Sequence, residues 1–290
     1  MTKKEIVNSK PNKWIAGLLG FFITPLGFLY ISKPLIAAAV MFFSFFMGFV
    51  SFAYLPIRSG LILWVFALLF HIVMAIYLFN QVNNSNNRAW YSRWYGLLLV
   101  FLIVVIPVAY VRIFTFGFYN IPSSSMAPTL LEGDSIIVSK KGCGNYKVFG
   151  KKIADIVPND GCSLKRADVI VFEYPKDMEV DYIKRVIGLP GDTVAYQDGK
   201  LYINNKIVEH KLLFNGFSEI LIEEKLGNKT YHIQHRNRAS IKDGFWKVPK
   251  NQYFVLGDDR NNSADSRMWG YVPQENIIGK LYYTFNKTKK

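Results

Sequence analysis

The sequence predicts an α-helical transmembrane region followed by a mainly-β extracytoplasmic domain that carries a smaller inserted β lobe. Three observations predict it. Apolar runs fill most of residues 14–117. No acidic residue occurs between Glu5 and Glu132. Beyond Glu132 the runs give way to short alternating segments with turn signals. The expected division is a membrane region over 1–118 and a β domain over 119–290, with the lobe at about 205–250.

The apolar runs cover 14–31, 34–56, 61–80 and 96–117. The last three are each long enough to cross a hydrocarbon core of ~30 Å as helices. Arg112 falls near the end of the last run, where its side chain can snorkel. The first run has Thr24-Pro25-Leu26-Gly27 in its middle. Pro and Gly there favour a break, hence a re-entrant or interfacial segment. The basic start does not predict a cleavable leader, because more apolar runs follow and no small-residue cleavage site stands out.

Basic residues orient the runs. The first 131 residues hold nine Lys/Arg and one Glu. With the first run not crossing, Lys3, Lys4, Lys10, Lys13, Lys33, Arg88 and Arg93 all lie inside. Only Arg58 is left in an outer loop, and the 96–117 run delivers the β half outside. Four crossings with the same β half outside would put the lysine-rich N-terminus outside too, against the charge bias. The net charge of +14 is thus mostly juxtamembrane or interspersed with acids, which argues against a nucleic-acid partner. Lys287, Lys289 and Lys290 read as a solvated tail. His71, mid-run and without an acidic neighbour in the runs, reads as a neutral histidine packed between helices.

In the second half, "DSIIVSK", "ADVIVFEYP", "DYIKRVIGLPGD", "TVAYQDGKLYINNKIV" and "NQYFVLGD" read as strands. Asp198-Gly199 and Asn204-Asn205 read as hairpin turns, and Gly188-Leu189-Pro190-Gly191-Asp192 as a tight turn. Cys143 and Cys162 are a candidate disulfide in an extracytoplasmic domain, the alternative being two thiols. His210, His232 and His235 all lie in the inserted segment. His232 and His235 would point to opposite faces of a strand. No acidic or cysteine cluster completes a metal set, so neither metal nor other cofactor is expected.

Chemistry can reside in "IPSSSMAPTL", residues 121–130, just after the last run. A serine hydroxyl needs a base, and no G-x-S-x-G elbow is present. Lysine can be that base if burial among apolar groups keeps it neutral. Lys184, in the β run "DYIKRVIGLPGD", has suitable neighbours; alone it reads more readily as a solvent-facing lysine. The polar stretch "GDDRNNSADSRMWGYVP", residues 257–273, can orient an amine or can be a surface loop.

Together, "PSSSMAPTL", "YIKRVIGLPGD" and "GDDRNNSADSRMWGYVP", with "GDSIIVSK" and "RADVIVFEYP" between, resemble the ordered signature boxes of type I (bacterial) signal peptidases. The resemblance covers residues 119–282. It implies a signal-peptidase-like β fold, a bacterial cytoplasmic-membrane location and a membrane-bound serine endopeptidase acting on preproteins that bear signal peptides. The bilayer and the protein-export machinery are the further partners implied. By resemblance Ser125 is the nucleophile and Lys184 the general base. Ser123, with the Ser125 N–H, forms the oxyanion hole. Ser263 hydrogen-bonds the lysine amine, and Asp265 and Arg267 form a supporting ion pair. Tyr119, Ile121, Leu130 and Ile183 line substrate pockets. Ser124 stands where glycine is frequent, and Asp259 where asparagine is more usual.

Chain length agrees with that role. Ser125 lies eight residues past Gly117, within roughly 26–29 Å of the bilayer edge even if extended. Other readings are a processing protease for one narrow substrate such as a pilin, and a non-catalytic membrane protein that binds preproteins. A self-cleaving repressor fits less well, since such proteins lack membrane spans.

Overall fold

The computed structural model describes residues 10–54, 60–82, 89–143, 145–148, 151–154, 162–217, 219–236 and 243–285. Lys3, Lys4, Arg58 and Arg88, used above to orient the chain, lie outside them, as do the tail lysines Lys287, Lys289 and Lys290. The chain divides into two compact units, Met1–Ala109 and Tyr110–Lys290.

The first unit is helical. Its elements are α1 (Lys13–Phe22), α2 (Thr24–Tyr30), α3 (Pro34–Tyr54), α4 (Gly60–Gln81) and α5 (Trp94–Tyr110). Asn12 starts α1 by accepting from the Trp14 N–H at 2.8 Å. The first apolar run breaks at Ile23 (φ −143°, ψ 74°), and Pro25 sits in the first turn of α2. Gly20 and Gly27 both press against α4, where an added Cβ at either would come 2.6 Å from Leu78 Cδ1. His71 Nδ1 meets Thr24 Oγ1 at 2.9 Å, and that hydroxyl donates to the Gly20 carbonyl at 2.7 Å. Its single proton is thereby used, so Nδ1 is the donor to the hydroxyl. Segments Pro34–Ala53 and Trp94–Thr115, with mean hydropathy 2.3 and 2.8, are long and apolar enough to cross a membrane. Within α4, Val65–Gln81 is apolar but shorter.

The last apolar run ends earlier as a helix than its hydropathy predicts. After α5 a π turn covers Val111–Thr115, and a strand starts at Phe116. Phe116 and Gly117 already pair with Ser139 and Val138. Aromatic residues suit a strand as well as a membrane, so hydropathy alone did not see this boundary.

The second unit is mainly β. Its strands are β1 (Phe116–Asn120), β2 (Ser135–Ser139), β3 (Tyr146–Val148), β4 (Lys151–Ala154), β5 (Val169–Tyr174), β6 (Asp177–Gly188), β7 (Thr193–Gln197) and β8 (Lys200–Ile203). There follow β9 (Lys206–Ile207), β10 (Glu209–Asn215), β11 (Glu219–Leu226), β12 (Lys229–Arg236), β13 (Gly244–Lys247), β14 (Gln252–Leu256), β15 (Val272–Pro273) and β16 (Ile277–Phe285). A short α6 (Ser266–Trp269) closes the loop after β14. The main antiparallel sheet runs β1-β2-β16-β5-β6-β14-β15. Beside it stand sheets β13-β7-β8-β9 and β10-β11-β12. The two predicted hairpin turns take left-handed backbone at Asp198 and Gly199 (φ 49° and 75°) and at Asn204 and Asn205 (φ 51° and 62°).

One cluster joins these sheets. Ile187, Phe254 and Leu256 of the main sheet pack with Val194, Tyr196 and Leu201 and with Leu226, Tyr231 and Ile233. The β11–β12 ribbon therefore shares its core with the strand that carries Lys184. A disulfide joins Cys143 to Cys162. Both cysteines are buried in a second cluster with Ile170, Phe172 and Val255.

Candidate active site

The segment "IPSSSMAPTL" connects β1 to β2 as a bonded turn. Ile121 N–H donates to the Asp134 carbonyl at 2.8 Å, and Leu130 N–H to the Met126 carbonyl at 2.9 Å. Met126 and Leu130 are fully buried, with Ile121, Ile136 and Val171 around them. These apolar anchors fix the serines between them. Ser124 Oγ accepts from Asn262 Nδ2 at 3.0 Å. Ser125 Oγ instead meets Lys184 Nζ at 2.8 Å and lies 3.4 Å from Ser123 Oγ.

Lys184 is 4% exposed on β6, between Tyr182 and Val186. Its amine also donates to the Ile183 carbonyl at 3.0 Å and sits 5.5 Å from the Tyr182 ring centre. Burial pulls its pKa from 10.5 down to about 8, while the carboxylates of Asp265 and Asp258 pull the other way. The structure thus brings Ser123, Ser125 and Lys184 together.

The third box surrounds them less simply than the resemblance implies. Arg267 Nη2 and Nε bond Asp265 Oδ2 and Oδ1, both at 2.8 Å, so the expected ion pair forms. Asp265 also accepts from the Gly257 N–H at 3.1 Å. Ser263 differs from expectation: its hydroxyl is buried but makes no hydrogen bond among the described residues. The amine's second partner is the neighbouring Ile183 carbonyl at 3.0 Å. Asp259 accepts from Gln234 Nε2 at 2.8 Å and Arg236 Nη2 at 2.7 Å, and its N–H donates to the Ser125 carbonyl at 3.2 Å.

The four expected pocket residues lie in one cluster beside the nucleophile turn. Tyr119 and Ile183 are half-buried, but Ile121 and Leu130 are closed off. Burial pushes the Tyr119 phenol up, helped by Asp181 and Glu173. No histidine bond reaches Ser125. His210 Nδ1 meets the Val208 carbonyl, just before β10, at 3.3 Å, and His232 faces Glu223 at 3.7 Å. His235 is pushed down to about 4, first by burial and then by the Arg260 charge, so it is neutral at neutral pH. Among the described residues no group of His, Cys, Asp or Glu is placed to hold a metal.

Several residues of the site carry no signal of their own in the sequence. Arg185, next to the lysine, bonds Asp258 at 2.5 Å and 2.8 Å and the Thr129 hydroxyl at 3.2 Å. Thr129 also donates to Asp258 at 2.5 Å, so the nucleophile turn and the third box share this pair. Gly257 is the closest approach of all: an added Cβ would meet Ser263 Oγ at 2.2 Å and the Ser125 carbonyl oxygen at 2.5 Å.

A β scaffold that buries an amine against a reachable serine hydroxyl defines a serine hydrolase of the kind that uses lysine as its base. The family model and the sequence relatives agree. The family described as signal peptidase, peptidase S26, matches residues 93–285. A signal peptidase I from Pseudomonas fluorescens is 43% identical over 63% of this chain and 69% of its own length. One from Buchnera aphidicola subsp. Schizaphis graminum is 34% identical over 72% of this chain and 80% of its own. One from Rickettsia conorii is 34% identical over 72% and 84%. A solved signal peptidase I from Enterococcus faecalis V583 aligns at 31% identity over 41% of this chain and 97% of its own, with a TM-score of 0.28. The chain belongs to the signal peptidase family, peptidase S26. It has that family's mainly-β fold, preceded by candidate apolar helices, and is a serine endopeptidase.

Proposed function

We propose that this signal peptidase removes N-terminal signal peptides from preproteins with Ser125 as nucleophile and Lys184 as general base. One observation carries the assignment: the buried Lys184 amine lies 2.8 Å from the Ser125 hydroxyl. The neutral amine takes the hydroxyl proton, and Ser125 Oγ attacks the scissile carbonyl. The oxyanion is held by the Ser125 N–H and the Ser123 hydroxyl, an interaction often worth about 3–4 kcal/mol. As the C–N bond breaks, the lysine returns its proton to the departing amine of the mature chain. Water, deprotonated by the same lysine, then hydrolyses the ester and frees Ser125.

Asp265 and Arg267 hold the Gly257 end of β14, and Ser263 fills the space beside it, so both act as supports for the lysine. Tyr119 and Ile183 face the substrate, with Ile121 and Leu130 setting the wall's depth. Small apolar recesses accept alanine-sized side chains before the cut and exclude bulky ones.

The location is a bacterial cytoplasmic membrane. The membrane region is 1–118, with three crossings and a broken first segment, and the catalytic domain, 119–290, lies outside with its lobe at about 205–250. The Ile23 break and the basic flanks support this topology. The bilayer holds both enzyme and preprotein, and the export machinery delivers the substrate.

The test uses the full chain in detergent. Wild type, Ser125→Ala and Lys184→Ala are incubated with several preproteins, and the mature N-termini are sequenced. Wild type is expected to cut each at one site after a small residue, and both variants to leave them intact. Full cleavage by either variant sinks the dyad. A reporter fused at residue 10 is expected to read as cytoplasmic; an extracytoplasmic signal overturns the topology.

A further inference from the structure

We infer that Glu224, on the β11–β12 ribbon, is a positioning residue for this reaction: through Arg260 it holds the loop after β14 against the nucleophile turn. The inference rests on the Ser125/Lys184 reading and extends it to a strand far outside the signature boxes.

Arg260 is fully enclosed, 2% exposed, among side chains. Its Nη1 and Nη2 donate to Glu224 Oε1 and Oε2 at 2.8 Å and 2.5 Å, a bidentate fork. Its Nε donates to the Gly257 carbonyl at 3.2 Å. Its own carbonyl accepts from Arg267 Nη2 at 2.6 Å, the same guanidinium that holds Asp265. Glu224 is held in turn by the Tyr231 hydroxyl at 2.8 Å. The Tyr231 ring lies 4.0 Å from the guanidinium carbon of Arg185, the neighbour of Lys184.

The ribbon grips the same loop through its backbone. Gln234 N–H donates to the Asp258 carbonyl at 2.9 Å, and Arg260 N–H donates back to the Gln234 carbonyl at 3.0 Å. This short bridge fixes the loop's height, while the Glu224 fork fixes how far Arg260 and Gly257 are drawn in. Gly257 is the point that matters, since even a Cβ there would collide with the Ser125 carbonyl oxygen and Ser263 Oγ. Removing the carboxylate leaves a buried guanidinium with no counter-charge, and a charge so placed moves out or draws water in. Gly257 then loses its Arg260 contact, and the Ser125–Lys184 geometry loosens.

Such loosening slows chemistry without weakening substrate binding, because a misplacement of about 1 Å at a reacting pair costs up to 10²-fold in rate. A role in folding alone would lower the folded fraction and leave the kinetics of each folded molecule intact.

The full chain in detergent is assayed as Glu224→Gln, Tyr231→Phe and Asp192→Asn. Tyr231→Phe keeps the ring over Arg185 and removes only the hydroxyl on Glu224. Asp192, itself buried, pairs with the partly exposed Arg166 at 2.6 Å, shares no bond with the loop after β14, and serves as a stability control. Glu224→Gln is expected to lower kcat per folded molecule about 10²-fold and Tyr231→Phe severalfold, each with KM within about twofold. Asp192→Asn is expected to lower Tm and keep wild-type kcat. Wild-type kcat in Glu224→Gln overturns the inference. So does a loss that tracks Tm along the same line as Asp192→Asn. If Glu224→Gln does not fold, Tyr231→Phe decides alone, and wild-type kcat there overturns it. Ser125→Ala, run beside them, tells a failed nucleophile assignment from a failed positioning role.

Discussion

The Lys184 amine lies 2.8 Å from the Ser125 hydroxyl and is 4% exposed, so one side chain has both the reach and the desolvation that a lysine base needs. Only the neutral amine accepts the serine proton. With the pKa brought to about 8 by burial, the neutral fraction falls about tenfold for each pH unit below that value. Steady-state kcat/KM is therefore expected to climb from pH 6, bend near 8 and level above it. A flat profile between pH 6 and 9 excludes Lys184 as the base.

Asp265 holds that pKa up against burial. Asp265→Asn removes its charge and leaves the Arg267 cation nearby unpaired, which disfavours the protonated amine further. The acidic limb of the profile is expected to move to lower pH, alongside a lower maximal rate from the loosened Gly257 N–H. A limb that stays put, or moves to higher pH, contradicts this electrostatic account.

Ser125, Lys184 and the Asp265–Arg267 pair were legible because each belongs to a local run whose order along the chain is itself informative. The hairpin turns were legible because Asp-Gly and Asn-Asn adopt left-handed backbone cheaply. Glu224 and Tyr231 were not, since an acid and an aromatic on alternating strand positions read as ordinary surface and core. Their meaning comes only from Arg260, which meets Glu224 across 36 residues of chain. At Ile121 and Leu130 two roles stay open, because apolar residues near a reacting serine suit a pocket surface or the layer behind it equally.

Gly257→Ala tests the close approach at the third box. Its added methyl would stand 2.5 Å from the Ser125 carbonyl oxygen and 2.2 Å from Ser263 Oγ. Ser263 can rotate, but a backbone carbonyl cannot yield without moving the nucleophile turn. The variant is expected to lose about 1–3 kcal/mol of stability to overpacking and most of its activity. Cleavage at the wild-type rate would show that the turn has slack that these distances deny.

The Cys143–Cys162 disulfide closes a loop across 19 residues of sequence separation and makes none of the bonds that hold Ser125 and Lys184. Restricting the unfolded chain over such a loop is worth about 3 kcal/mol. A double Cys→Ala variant is expected to melt several degrees lower yet retain wild-type kcat below its melting range. Loss of kcat in molecules that remain folded would tie the disulfide to the site after all.

Lys184→Met separates stability from catalysis. The amine's pKa falls from 10.5 in an unfolded chain to about 8 when folded, so between those values the unfolded state binds more protons. Stability therefore rises with pH across that window and is at its lowest below 8. At pH 7 the buried charge withholds about 3 kcal/mol, the equivalent of that pKa difference. Methionine fills similar volume without charge, so the inactive variant is expected to melt several degrees above wild type at pH 7. The gap should close as pH approaches 10, where the wild-type amine is neutral in the folded state. Lost bonds to Ser125 and the Ile183 carbonyl reduce the gain but do not reverse it, since each is worth about 1 kcal/mol net. A methionine variant that melts below wild type at pH 7 would mean the lysine is not held against its charge, and with that the reason for its basicity at neutral pH is gone.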